Sequence, residues 1–248
     1  MIGALAASAK QARALDEAAG RLGVSMDALM ALASFQCARL AHRRLHDLPA
    51  KSHVAVLAGR GNNGGDGLGC ARHLSSWGWV VRTVALGDLA DTTTSYSLQA
   101  RAAQAAGVDL RPAGDRAESV IDWALEGAGL IIDGVLGTGG YGPVRGTVAD
   151  AVRRINASTS EVLAIDVPSG LDATAGETKG DCVRADVTLM LGAPKSGCLS
   201  LDSSPLVGRL WLADIGVPEQ AYREVGLAPP NFTGGSLKPF EPTSEPYV

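Results

Sequence analysis

Gly59-Arg60-Gly61-Asn62-Asn63-Gly64-Gly65-Asp66-Gly67 follows a short apolar run, His53-Val54-Ala55-Val56-Leu57-Ala58. The run reads as a buried strand, and the segment from Leu68 to Trp77 has the length and composition of a helix. A glycine-dense turn between the two lets backbone approach a ligand closely, because glycine has no Cβ and tolerates positive φ. Exposed N–H groups at the helix start then face an anion, typically phosphate. The two asparagines and the aspartate add polar groups suited to a ribose, a base or a cation. Five glycines in nine residues exceed what one plain turn needs.

Working outward, apolar strands alternate with helical segments. Gln11 to Leu22 and Ser25 to His46 read as alanine-rich helices, with Ser25 as N-cap. Trp79 to Leu86 is a strand, Ser95 to Ala106 and Ala117 to Glu126 are helices, and Leu130 to Asp133 is a strand ending in a carboxylate. Thr147 to Asn156 is helical, Val162 to Asp166 is again a strand ending in aspartate, and Asp186 to Leu191 and Arg209 to Ala213 complete the series. Strands separated by helices imply right-handed crossovers and a mostly parallel sheet covered on both faces, an α/β sandwich of three layers. Residues 1–227 read as one domain. Residues 228–248, with Pro229, Pro230, Pro239, Pro242 and Pro246, read as a loosely packed tail.

A chain of 248 residues with a net charge of −4 has no general attraction to nucleic acid or to acidic membranes. No apolar run reaches membrane-spanning length. The N-terminus lacks the basic, apolar and cleavage regions of a signal peptide, so a cytoplasmic location is expected. Cys37, Cys70, Cys182 and Cys198 form no CxxC pair and read as core residues. His42 and His46 are four apart, but Arg43-Arg44-Leu45 between them lacks a metalloprotease glutamate.

Ligands bind at the carboxyl ends of the strands in parallel α/β sheets. Three unusual loops lie there: Gly59 to Gly67, Asp133 to Pro143, and Asp166-Val167-Pro168-Ser169-Gly170-Leu171-Asp172. Their convergence predicts a pocket that could hold phosphate, carboxylate and a monovalent cation. Gly59, Gly61 and Gly64 also satisfy a GxGxxG spacing, with Asp88 where a ribose-binding acid would sit, which would suit a nicotinamide oxidoreductase. Asn-Asn-Gly-Gly-Asp is foreign to that fingerprint, however. No GxSxG supports a hydrolase.

These residues resemble the NAD(P)H-hydrate epimerase family, the YjeF N-terminal domain. The likeness runs from about Ala14 to Gly226. It rests on Leu15-Asp16-Glu17-Ala18, Gly61 to Gly67, Gly137-Thr138-Gly139, Ile165 to Asp172, Ala193-Pro194-Lys195 and Asp214 to Pro218. The resemblance implies a Rossmann-like domain, often a homodimer, that interconverts the R and S forms of hydrated NADH or NADPH. It implies that Asn62, Asn63, Gly64, Gly65 and Asp66 cradle phosphates and ribose. Gly137, Thr138, Gly139, Gly140, Tyr141, Gly142 and Pro143 would form a second substrate loop, with Asp166 contacting the nicotinamide-derived ring. Asn63, Asp133 and Ser169 would give oxygens to a potassium ion. Asp166 is the expected acid–base catalyst. Lys195 either holds a phosphate or the departing oxygen, or is an ordinary surface lysine.

Two positions depart from the family pattern. Ala31-Leu32-Ala33-Ser34 replaces Glu-Asn-Ala-Gly, and Met190 replaces a threonine expected beside the pocket. The second reading is therefore a divergent member that binds or converts another nucleotide-like or phosphorylated molecule, or a non-catalytic binding module.

Overall fold

The computed structural model describes residues 4–46, 52–90, 93–140 and 142–241. The helices are α1 (Ala9–Arg21), α2 (Met26–Leu45), α3 (Asn62–Ser76), α4 (Ser95–Ala105), α5 (Ala117–Leu125), α6 (Gly146–Ala157), α7 (Ser204–Val207) and α8 (Glu219–Glu224). The strands are β1 (His53–Ala58), β2 (Val81–Ala85), β3 (Asp109–Pro112), β4 (Ala128–Gly134), β5 (Glu161–Ile165), β6 (Val187–Leu191), β7 (Arg209–Ala213) and β8 (Leu237–Pro239). They form a single sheet in the order β3-β2-β1-β4-β5-β6-β7-β8. Every pairing is parallel except β7 with β8.

Strand alternation divides the core between the two faces. Val54 and Val56 of β1, with Leu130 and Ile132 of β4, pack against Cys37, Leu40 and Ala41 of α2 and Cys70 and Leu74 of α3. Ala55, Leu57 and Ile131 face the other way, onto Ile121 and Leu125 of α5 and Val152 and Ile155 of α6. The result is the expected three-layer sandwich. β1 and β4 are neighbours while the chain runs outward from them in opposite directions, so the sheet's switch point lies between them.

The glycine-rich stretch differs from its sequence reading. Helix α3 begins at Asn62, not near Leu68, so Asn62 to Asp66 form its first turns. Glycine is helix-unfavourable, but here it is required by close packing. A Cβ on Gly64 would lie 1.7 Å from the Gly59 carbonyl oxygen. One on Gly65 would lie 2.7 Å from the Met30 side chain, and one on Gly69 2.2 Å from Ser34 Oγ. The glycines bring α3 down onto the β1 turn and let α2 press against it.

The tail also differs. Leu237 to Pro239 add β8 antiparallel to the sheet edge, and Phe240 is buried against Met190 and Leu212. Pro239 is tolerated because an edge strand leaves one side of its backbone unpaired. Pro242 and Pro246 lie outside the described residues. No helix among the described residues is long and apolar enough to cross a membrane.

Candidate active site

The carboxyl ends of β1, β4, β5 and β6 open into a cleft of about 1060 Å³. Helix α1 closes one side. Its Ser8–Gln11 capping box fixes the helix start. Just before it, Ala7 exchanges backbone hydrogen bonds with the chain around Lys195. That pairing carries Asp16 into the cleft wall beside the β5 and β6 ends.

Both of those strands end in tight reversals. The Val167 N–H returns to the Ile165 carbonyl at 2.8 Å around Asp166, whose φ is +69°. Asp166 is the one non-glycine residue with positive φ among the described residues, in a strained γ-turn geometry that aspartate tolerates better than most. The Ala193 N–H likewise returns to Leu191 around Gly192. Asp166 and Lys195 meet across these turns, with Nζ 2.5 Å from Oδ1.

Lys195 is not a surface lysine: its side chain is 3% exposed. An ammonium has three N–H donors. Besides Asp166, Nζ donates to the Leu191 carbonyl at 2.6 Å and the Ala193 carbonyl at 3.1 Å. All three donors have partners within the protein. The Asp166 carboxylate also accepts the Thr138 N–H at 3.3 Å and the Leu191 N–H at 3.5 Å. Each hydrogen-bond partner of this carboxylate is an N–H donor.

Three further carboxyl groups share the cleft, Asp16, Glu17 and Asp66. Burial raises Asp16 to about 6; Lys195 opposes the rise, while Asp166 and Glu17 add to it. Asp66, 7% exposed, is held well above the ordinary carboxylate range by burial, then by the charges of Asp166 and Asp16. Asp16 was present in the quoted motif but had no assigned role; its place on the wall depends on the Ala7–Lys195 pairing, which no local pattern reveals.

Asp133, fully buried in β4, has its carboxyl raised by burial and lowered in turn by its hydrogen bonds. It accepts the Ser169 hydroxyl at 2.6 Å, the Ser169 N–H at 2.8 Å and the Val135 N–H at 3.1 Å. Ser169 Oγ accepts the Leu136 N–H at 2.8 Å. Gly137 packs on Asn63, whose buried Nδ2 has no partner among the described residues. Asp133 and Ser169 thus touch directly, and the 135–137 turn links them to Asn63.

Asn62, Asn63, Asp66, Gly137, Thr138, Gly139, Gly140, Gly142, Pro143, Asp166 and Lys195 line the cleft. Gly64 and Gly65 stand behind its wall as packing positions, and Asp133 and Ser169 lie beneath it. Tyr141 lies outside the described residues. Asp88 turns to the Ala90 N–H in an exposed loop and is absent from the lining, so the ribose acid of a nicotinamide oxidoreductase is not formed. Met190 does not reshape the pocket. It is buried on the opposite side of β6, where its sulfur accepts the Lys195 N–H, and Leu191 lines the cleft instead. Of the other departure, Ala33 lines the cleft, while Ser34 is buried in the α2–α3 contact.

Comparison with known proteins agrees with this fold. The family described as YjeF-related protein N-terminus matches residues 26–197. A Truepera radiovictrix protein named NAD(P)H-hydrate epimerase is 36% identical over 231 residues, covering 90% of this chain and 94% of its own. Its namesake from Rhodopirellula baltica is 36% identical over 183 residues, covering 74% of each. A bifunctional NAD(P)H-hydrate repair enzyme from Hyperthermus butylicus is 42% identical over 178 residues, 71% of this chain but 32% of that one. This chain therefore spans about a third of that relative's length. The crystal structure of yeast ynu0 superposes with a TM-score of 0.80 at 22% identity, covering 95% of this chain and 99% of that one, a likeness of fold. By sequence match and relatives alike, the chain belongs to the YjeF-related protein N-terminus family.

Proposed function

We propose that this protein is an NAD(P)H-hydrate epimerase, an isomerase that interconverts the R and S epimers of hydrated NADH and NADPH in cofactor repair. The observation that carries the reading is the Asp166–Lys195 pair at the floor of the cleft, with every ammonium proton spent on the protein. The hydrated ring bears a hydroxyl on the carbon beside the ring nitrogen. Inversion needs that hydroxyl to leave as water, pushed by the nitrogen lone pair, and water to add on the other face. Asp166, whose hydrogen-bond partners are all N–H donors, is the base that takes the proton of the incoming water. Lys195 is a positioning residue, holding Asp166 in its charge state and rotamer.

The rest of the substrate also has complementary surroundings. Helix α3 starts at Gly61 without a side-chain cap, leaving its first N–H groups for phosphate. Arg13, Arg60 and Arg145 line the cleft and make no ion pair among the described residues, so they can balance phosphate charge. Chromatography of one purified epimer tests the reading. We expect the other epimer to form at a rate proportional to added protein; formation no faster than in buffer would refute it.

The donor set fits a potassium ion. Asp133 is a fully buried carboxylate with no side-chain cation beside it among the described residues, and Ser169 and Asn63 add neutral hard oxygens. One carboxylate with neutral donors suits a large monovalent ion better than a small divalent one. When bound, the ion would tie the 133–137, 169 and α3 segments together and offset negative charge. Potassium should then raise melting temperature or dinucleotide affinity more than sodium at equal ionic strength, and Asp133→Ala should erase the difference. Equal effects of the two ions on the unmutated protein would exclude the site.

The reading extends to a homodimer in a cytoplasm-like compartment. Leu32 and Phe35 expose large apolar surface on α2, and all four cysteines are free and buried. Sedimentation velocity distinguishes dimer from monomer.

A further inference from the structure

Epimerisation as proposed above needs an acid as well as a base, because hydroxide is a poor leaving group. Asp166, ion-paired to Lys195 and accepting the Thr138 and Leu191 N–H groups, is placed for the base, which leaves the acid to another group. Three other carboxyl groups line the cleft, Asp16, Glu17 and Asp66. Glu17 is on the exposed side of α1. Asp66, 7% exposed, is more deeply buried than Asp16, and burial with the charges of Asp166 and Asp16 holds it toward its neutral form, so it gives up a proton less readily. Asp16 is half-buried, with cleft on one side and water within reach on the other. The buried Asn63 Nδ2, which has no partner among the described residues, lies in this same wall and is free to meet a polar ligand.

We propose that Asp16 is a second catalytic residue, the acid that protonates the departing hydroxyl while Asp166 deprotonates the water that returns. The inference rests on the epimerase reading. The Asp16 O–H breaks and its proton goes to the substrate hydroxyl. The C–O bond breaks with its electron pair leaving in water, and the nitrogen lone pair makes a C=N bond. Water then adds to that carbon, the C=N pair returns to nitrogen, and the surplus proton passes to Asp166. The sum moves one proton from Asp16 to Asp166. Solvent at the half-exposed Asp16 resets the pair, and the roles exchange in the reverse direction. The active form thus carries one proton on the two carboxyls together.

The surroundings of Asp16 give the pH dependence its sign. Facing it are Glu17 and Arg13 of α1, Asp66 of α3, Asp166 after β5, Lys195 after β6 and Tyr222 of α8. With its carboxyl lifted to about 6, Asp16 is protonated below that value, so epimerisation should decline as pH rises through it.

The test is a pH–rate profile, corrected for spontaneous epimerisation, for the unmutated protein, Asp16→Asn and Asp16→Glu, with dinucleotide binding measured on each. We expect Asp16→Asn to lose about 10²-fold or more in rate, to bind within about twofold of the original, and to lack the decline near pH 6. Asp16→Glu should recover part of the rate. An Asp16→Asn protein with the original rate and profile would overturn the proposal, as would one that loses binding and rate together. If that variant does not fold, carboxyl ¹³C titration of the unmutated protein decides: Asp16 titrating in the ordinary carboxylate range overturns it. An unmutated protein without activity overturns the epimerase reading itself, a distinct result.

Discussion

Replacing Asp166 with asparagine is expected to lower turnover by about 10²–10⁴-fold while leaving adenine dinucleotide binding within a few-fold of the original. Asparagine keeps the shape and one acceptor oxygen but cannot take a proton from water. The substitution has a second consequence, because it leaves the Lys195 ammonium buried among neutral acceptors with no counter-charge beside it. Removing one member of a buried ion pair typically costs about 3–5 kcal/mol. Asp166→Asn should therefore also melt earlier, and adding Lys195→Met should restore much of the stability without restoring turnover. Thermal melts and steady-state rates on the single and double variants separate the two effects. If the double variant regains turnover, Asp166 is not the base.

The second large effect is structural. Gly64→Ala would place a methyl 1.7 Å from the Gly59 carbonyl oxygen, 2.6 Å from its carbon and 2.8 Å from its nitrogen. The obstacle is backbone, which cannot rotate away as a flexible side chain can. Overpacking of this kind costs about 3 kcal/mol or more. In a domain of this size that is a loss of roughly 6–12 °C in melting temperature. The α3 start would also lift off the β1 turn, weakening dinucleotide binding. Gly20→Ala is the matched control: it sits in α1 with nothing within 4 Å of the added methyl. Its melting temperature should be unchanged or slightly higher. A Gly64→Ala protein that melts within about 2 °C of the original would show that α3 is less closely held than described.

Much of this architecture was legible because its causes are local. β1, β4 and β5 are continuous apolar runs, since sheet neighbours and helices cover both their faces, and such runs are distinctive. β3 escaped notice because it is an edge strand with a polar, largely exposed sequence, Asp109-Leu110-Arg111-Pro112. β8 escaped because its prolines suggest a loose tail, although an edge position accommodates Pro239. The α3 start was misplaced because helix propensity disfavours glycine, whereas tertiary packing here leaves no room for a Cβ. The three site loops were visible as strand-end punctuation, but the division of labour among their residues was not. The sequence leaves Lys195 open between a site residue and a surface lysine, and only the γ-turn at Gly192 shows two carbonyls aimed at its ammonium. Met190 and Leu191 differ by one residue and so by one face of β6, and register across the sheet decides which meets the cleft. Asp16 depends on an isolated backbone pairing between residues 188 positions apart, Ala7 and Lys195.

The most direct test of the central claim supplies an equilibrium mixture of the two hydrate epimers to an excess of a dehydratase that consumes only the S form. Without epimerase, consumption should stop its fast phase when the S form is gone and then creep at the spontaneous rate. With this protein present, we predict that the entire mixture disappears in the fast phase, and that Asp166→Asn restores the slow one. A slow phase unchanged by the unmutated protein, at concentrations where it binds the dinucleotide, would contradict the account.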